Sequence, residues 1–363
     1  MQQIVKPLLV WYEQNKRELP WREGSDPYHI WISEIMLQQT RVEAVKGYYS
    51  RFLERLPGLR DLAEVPEDEL MKLWQGLGYY NRARNLQKAA QVIMQEYQGE
   101  FPQEYELLLE LPGIGEYTAG AIASIAFGKR VPAVDGNVYR IYARLFADSS
   151  DIMAGKVRKR IRNEVARVVP ENEAGAFNQA LMDLGATVCI PNGQPFCEKC
   201  PIAQWCISRK QGDMLAYPVK PVKKPRKVED RTVFLIEYQG RYLIQQRPKK
   251  GLLAGLWEFP SQEGSLSLEA LRPRLEEWGA DTAKVELLGK GKHIFSHIEW
   301  HMLGYLIHLK ELPEVLENSF VLSSVGQLQE KYSIPSAFAV YMSEIMRRAE
   351  VLEESGQEKS RKK

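Results

Sequence analysis

The hydrophobic pattern changes period once along this chain, and it does so at a stretch that cannot be an ordinary helix. Residues 216–231 (AYPVKPVKKPRKVEDR) contain Pro218, Pro221 and Pro225. Each proline removes a backbone donor and clashes with the preceding turn, so the segment reads as an extended linker. Before it, apolar residues recur at three- and four-residue spacing, as in IWISEIMLQQTRVEAVKGYYSRFLERL (30–56), and no convincing strand occurs. DELMKLWQGLG (68–78), 80–97, 117–128, 135–147, 152–168 and 174–188 read as further helices. After the linker the grammar is that of a sheet. TVFLIEYQGRYLIQQR (232–247) forms two β-branched and aromatic runs about a Gln239–Gly240 turn. LWEFP (256–260), KVELLGKG (284–291) and HIEWHMLGYLIHL (297–309) add strands, and 336–354 closes with a helix. With 363 residues there is room for two cores. The expectation is an all-helical domain over 1–215, a linker over 216–231, and a smaller α+β domain over 232–363.

Charge sharpens the linker. The chain carries 49 Lys+Arg against 47 Asp+Glu, a net +2. That balance gives no licence to expect a nucleic-acid partner, because such domains are usually visibly basic. The flanking domains are each close to neutral, so the excess lies in the linker, where Lys223, Lys224, Arg226 and Lys227 could follow a phosphate backbone or simply keep a tether solvated. No apolar run reaches a membrane-spanning length. The N-terminus lacks the basic-then-apolar layout of a secretory signal, so a cytoplasmic protein is expected.

The four cysteines are Cys189, Cys197, Cys200 and Cys206, spaced C-x7-C-x2-C-x5-C within 18 residues. Without a secretory signal a disulfide pair is the weaker reading. Thiolate coordination of zinc or of a [4Fe–4S] cluster is the stronger one, and spacing alone does not choose. A second motif is LPGIGEYTAGAIAS (111–124). Its hairpin would aim the amides of Gly113 and Gly115 outward at the start of the next helix, where the dipole favours an anion. The plain alternative is a turn between helices. Asp135, in VPAVDGNVYRI (131–141), is either an N-cap or a carboxylate held near that clamp. Glu34 is a carboxylate among apolar neighbours Ile32, Ile35 and Met36, either solvent-facing or functional.

At these residues the chain resembles the helix–hairpin–helix superfamily of base-excision DNA glycosylases, most closely the MutY-type adenine DNA glycosylases. The resemblance rests on LPWR (19–22), WISEIMLQQTRV (31–42), GLGYYNRARN (76–85), LPGIGEYTAG (111–120), PAVDGNV (132–138), FNQALMDLGATVC (177–189) and GLWEFP (255–260). It implies two helical subdomains, one over about 20–128 and one from the N-terminus plus about 129–215, and a MutT-like (Nudix-like) C-terminal domain. The implied activity is excision of adenine mispaired with 8-oxoguanine or guanine in double-stranded DNA, by a monomeric bacterial, nucleoid-associated protein. The implied cofactor is a [4Fe–4S] cluster, with zinc as the alternative. The family spacing of the first cysteine gap is six residues, and here it is seven.

By the same resemblance Glu34 is the general acid directed to adenine N7, and Asp135 stabilises or attacks the sugar from the opposite side. Tyr117 and Asn137 would orient Asp135 and the attacking water. Trp21, Arg22, Leu37, Val42 and Gln179 would form the adenine pocket. Gln38, Gln39 and Tyr79 would fill the gap left by the extruded base. Phe295, Ser296 and His297, in HIFSHIEW (293–300), would read 8-oxoguanine. Tyr117 occupies the hairpin position where endonuclease III-like relatives carry a Schiff-base lysine; a phenol forms no imine, so a monofunctional enzyme is implied. In the C-terminal domain Pro273 follows Arg272 where a Nudix box needs Glu, so pyrophosphate hydrolysis is not expected. The rival readings are an endonuclease III-like glycosylase with lyase activity, a non-catalytic DNA-binding Fe–S protein, and a Nudix hydrolase with a helical appendage.

Overall fold

Among the described residues no strand forms before the linker. The computed structural model describes residues 1–222, 225–280 and 283–361, with side chains to 351. Lys223 and Lys224 lie outside the described residues. The helices are α1 Val5–Asn15, α2 Pro27–Leu37, α3 Val42–Arg55, α4 Leu59–Glu64, α5 Glu67–Leu73, α6 Asn81–Glu96, α7 Tyr105–Glu110, α8 Glu116–Phe127, α9 Gly136–Phe146, α10 Gly155–Ala166, α11 Ala174–Thr187 and α12 Ile207–Gln211. None of the described helices is long and apolar enough to cross a membrane. The chain divides into two units, one of 1–65 with 81–223 and one of 66–80 with 224–363.

In the first unit α1 packs on α11, and its Val5, Leu8 and Leu9 share a core with Val138 and Ile141 of α9, Ile161 of α10 and Phe177 of α11. The run read as one helix over 30–56 is two. It breaks at 38–41, where Gln39 takes φ 60°. Neither glycine nor proline marks the break. Its cause lies 44 residues away: the Arg82 guanidinium donates to the carbonyls of Ile35 (2.7 Å), Met36 (3.0 Å) and Gln38 (2.7 Å). A cation taking the last carbonyls ends a helix favourably, because those groups lack partners and carry the negative end of the dipole.

The second unit holds strands β1 Lys227–Tyr238, β2 Arg241–Gln246, β3 Trp257–Glu258, β4 Ser261–Glu263, β5 Lys284–Ile294, β6 Ile298–His308 and β7 Val321–Ser324. Their order is β3-β2-β1-β6-β5, with β4 on β1 and β7 on β2; β1 and β6 run parallel and the other pairs antiparallel. Thr232 to Ile236 of β1 are all buried, as expected of a strand covered on both faces. Val233 and Leu235 face a core with α15 Val325–Glu330 and α16 Ala339–Arg361, while Phe234 and Ile236 face one with α13 Arg272–Glu277 and α14 Glu314–Ser319. Pro273 sits in the first turn of α13, where its missing donor costs nothing.

Two boundaries differ from the sequence reading. β1 begins at Lys227, so the linker is shorter than 216–231, and Lys227 is paired with Glu229 at 2.8 Å. Residues 66–80, assigned by sequence to the helical domain, fall in the second unit. There Lys72 Nζ donates to the Tyr332 carbonyl (3.1 Å) and Gln75 Nε2 to that of Ile334 (2.6 Å). Side-chain bonds to distant carbonyls leave no periodic signal in sequence.

Candidate active site

Local capping rules set up the site. Asp26 caps α2 by accepting from the amides of Tyr28 (2.7 Å) and His29 (3.3 Å), and Pro27 starts the helix with a preset φ. Residues 30–36 of α2 are all buried, Glu34 included. Gly113 supplies the left-handed φ of +77° that the turn before α8 needs, and a Cβ there would lie 2.6 Å from Asn85 Cβ. Within the described residues no hydrogen bond reaches the amides of Gly113 or Gly115. Asp135 is the N-cap of α9: its Oδ1 accepts from the amides of Asn137 and Val138, both at 2.9 Å, and its Oδ2 from Asn137 Nδ2 at 2.6 Å. The capping and the functional readings of Asp135 are therefore compatible, since each oxygen has its own task.

These elements wall one cleft of about 1240 Å³. It is lined by Glu34, Asp135, Tyr117 and Asn137; by Trp21, Arg22, Leu37, Val42 and Gln179; by Gln38 and Gln39; and by Gly113 and Gly115. Apart from the four cysteines, every site residue predicted from sequence in the helical domain is there except Tyr79, which belongs to the second unit, is 48% exposed and has φ 46°. One detail is corrected. Tyr117 donates to Glu34 Oε2 at 2.5 Å, so it orients Glu34 rather than Asp135. Asn137 does hold Asp135, and Arg140 Nη2 in turn donates to Asn137 Oδ1 at 2.9 Å.

The two carboxylates stand in different surroundings. Burial lifts the Glu34 pKa to about 7, against the Tyr117 hydroxyl, which favours its ionised form, while the charge of Asp135 adds to the rise. Burial also raises Asp135, opposed by the amides of Val138 and Asn137, the Asn137 side chain and Arg140. Among the described residues, one group thus sits poised near neutrality with a single donor, and the other is capped by three.

Sequence reasoning missed the group behind the cleft. Asp183 is fully buried and binds Arg22 through two bonds of 2.7 and 2.8 Å, and Arg17 through its amide (3.1 Å) and Nε (2.8 Å). Burial pushes Asp183 up, but the two guanidiniums hold it below the usual carboxylate range. An aspartate inside the apolar run of FNQALMDLGATVC was its only signal, since a charge there needs a partner. Also missed were the basic residues of the rim other than Arg22. The lining holds Arg17, Arg22, Arg41, Arg158, Lys159 and Arg162 against Glu34, Glu116 and Asp135, so it is basic although the chain is nearly neutral.

The four cysteines line one small cavity of about 30 Å³ with Arg144 and Arg209. Arg144 Nη1 lies 3.3 Å from Cys189 Sγ and also donates to the Ile190 carbonyl. Burial raises the Cys197 thiol and pushes that of Cys200 up to about 12. Among the described residues no group of three or more His, Cys, Asp or Glu is gathered closely enough to hold one metal ion.

In the second unit Phe295, Ser296 and His297 form the tight turn between β5 and β6, not part of a strand. Phe295 packs edge-on against Trp300 and His293, with centroids 4.9 and 4.6 Å apart. Ser296 and His297 are exposed, with Ser296 Oγ 3.1 Å from His297 Nδ1. Arg226 donates to the Phe295 carbonyl (3.1 Å) and the Lys227 amide to that of His297 (3.3 Å), so the end of the linker and the first residue of β1 brace this turn.

The model of HhH-GPD superfamily base excision DNA repair proteins matches residues 32–167, and that of the NUDIX domain matches 232–344. The chain is 37% identical over 352 residues to the adenine DNA glycosylase of Homo sapiens, covering 80% of this chain and 64% of that protein. It therefore spans slightly under two thirds of that relative. For the adenine DNA glycosylase of Rattus norvegicus the identity is 38%, covering 84% and 70%. For that of Buchnera aphidicola subsp. Acyrthosiphon pisum it is 34%, covering 86% and 88%. Among solved structures, a thermostable thymine-DNA glycosylase has a TM-score of 0.52 at 32% identity, covering 58% of this chain and 96% of that one.

Proposed function

The chain belongs to the adenine DNA glycosylases of the helix–hairpin–helix base-excision superfamily, and from that premise we propose that it hydrolyses the N-glycosidic bond of adenine mispaired with 8-oxoguanine or guanine in duplex DNA. The observation that carries this reading is the pair Glu34 and Asp135 in one cleft, each met by a different set of hydrogen-bond donors.

Neutral adenine leaves poorly as an anion, so a proton must reach a ring nitrogen as the bond breaks. Glu34, with a pKa near 7, can donate it to N7 at neutral pH. The C1′–N9 electrons then go to the protonated base, and the sugar becomes oxocarbenium-like. Asp135, its carboxylate met by three donors, supplies the opposing charge in its ionised form as stabiliser or transient nucleophile. Water adds at C1′ and loses its proton, leaving an abasic site. With Tyr117 in place of an amine, no imine forms there. Trp21, Arg22, Leu37, Val42 and Gln179 receive the extruded adenine, at a cost of a few kcal/mol for flipping. Gln38, Gln39 and Tyr79 fill the vacated stack, the Gly113 and Gly115 amides hold phosphate, and Phe295, Ser296 and His297 read 8-oxoguanine on the partner strand.

Cys189, Cys197, Cys200 and Cys206 would hold a [4Fe–4S] cluster. The four thiols line one common space, and four thiolates suit a cluster in which each binds its own iron. When bound, it would tie residues 189–206 into one unit and contribute folding energy.

Excision from duplexes pairing A with 8-oxoguanine, G or C, and T with G, tests the reading. Adenine release from the first two is expected; thymine release in its place would install the substrate of the thymine-DNA glycosylase that the fold resembles.

A further inference from the structure

Helix α10 carries Lys156, Arg158, Lys159, Arg160 and Arg162 against a single acid, Glu164. Its charges are sorted by face. Ile161 and Val165 are buried, Glu164 accepts from the Tyr142 hydroxyl at 2.5 Å, and Arg160 is turned to Asp148. The residues lining the active-site cleft are Gly155, Arg158, Lys159 and Arg162, spaced i, i+3, i+4 and i+7, which is one stripe of a helix. That stripe contains no acid.

Its three cations are held differently. Arg158 is braced by the Ile152 carbonyl at 2.9 Å and lies over the Tyr139 ring, 5.3 Å from the centroid. Arg162 is paired with Glu116, the first residue of α8, directly after the Gly113–Gly115 hairpin. Lys159 is exposed and forms no ion pair among the described residues. The Arg162–Glu116 bridge therefore joins the stripe to the hairpin amides, and one carboxylate stands at the junction of two anion-binding features.

We infer that this stripe of α10 is a phosphate-binding wall continuous with the hairpin, in which Lys159 and Arg162 each take one phosphate of the duplex and Arg162 exchanges Glu116 for it. The inference rests on the reading that the cleft binds DNA. Neutralising a phosphate releases condensed counterions, so each contact steepens the fall of log K with log [salt] by about 0.9 in slope. The exchange also requires that Glu116 compete with DNA for Arg162.

Binding of a fluorescent duplex with a central A:G pair is measured by anisotropy across KCl concentrations of about 50 to 200 mM. Lys159→Gln and Arg162→Gln are each expected to make that fall shallower by about 0.9 in slope. Lys156→Gln, the same charge change on the same helix but off the stripe, is expected to leave the slope unchanged. Glu116→Gln is expected to bind more tightly than the native chain at every salt concentration. Unchanged slopes for both stripe variants, or an equal drop for Lys156→Gln, would overturn the wall. Weaker binding by Glu116→Gln would overturn the exchange. Lys159 is exposed, so its variant remains informative should Arg162→Gln fold poorly. If the native chain fails to bind duplex at all, the DNA reading itself falls; if it binds but the slopes do not move, only this inference does.

Discussion

At the scale of single residues, the proposed acid Glu34 lies in α2, which is buried over residues 30–36, and its carboxyl accepts from the Tyr117 hydroxyl at 2.5 Å. Donation to a leaving base needs the protonated form, which exists below the pKa of about 7. The free-enzyme rate, kcat/KM, should therefore hold at lower pH and fall as pH rises through about 7. Tyr117 stabilises the ionised form, so Tyr117→Phe should raise the Glu34 pKa and move that descending limb to higher pH. A limb moving the other way would mean the phenol acts on Asp135 after all. Glu34→Gln keeps the shape and loses the proton; it should slow excision by about 10²–10⁴ while sparing DNA binding. Normal turnover in that variant would remove Glu34 from the role.

At the scale of elements, α11 decides whether the walls of the cleft meet correctly. Asp183 is enclosed between Arg17 and Arg22, and removing a buried partner leaves charge uncompensated. Asp183→Asn should cost about 3 kcal/mol, read from urea unfolding. A change of a few tenths would mean the arginines relax into water. Gly185, two residues before the end of α11, allows a closer approach: a Cβ there would lie 2.4 Å from Asn137 Cβ. Gly185→Ala should displace Asn137, the donor to Asp135, and lower the single-turnover rate at saturating DNA along with about 1–3 kcal/mol of stability. Undiminished turnover would show that Asn137 does not position Asp135. These contacts also explain what could be read without coordinates. The helices, the hairpin and the cap at Asp135 follow local rules of spacing, φ and capping, and they were legible. The break at 38–41, the role of Asp183 and the placement of 66–80 depend on Arg82, Arg22, Lys72 and Gln75 reaching across the chain, and no periodicity encodes such a reach.

For the whole molecule, net charge was a poor guide because a cleft samples only the side chains that line it. Six basic and three acidic residues face this one, although the entire chain sums to +2. The proposed role of the second unit concerns a second property, the choice of the base opposite adenine. Deleting residues 232–363 is a blunt test, because Lys72 and Gln75 bond to carbonyls at 332 and 334 and would lose those partners. A single atom makes a sharper one. Ser296 lies exposed in the β5–β6 turn, and the packing of that turn rests on Phe295 against Trp300. Ser296→Ala therefore removes a hydroxyl without opening the core. 8-Oxoguanine differs from guanine in having an N7–H and an O8, each able to bond a hydroxyl. Net hydrogen bonds contribute about 1 kcal/mol, so the ratio of excision efficiency for A:8-oxoguanine over A:G should fall about fivefold. The A:G rate itself should stay constant, since guanine offers neither feature. If both rates fell together, Ser296 would be supporting general DNA binding. If neither changed, reading of the damaged base would have to reside outside this turn.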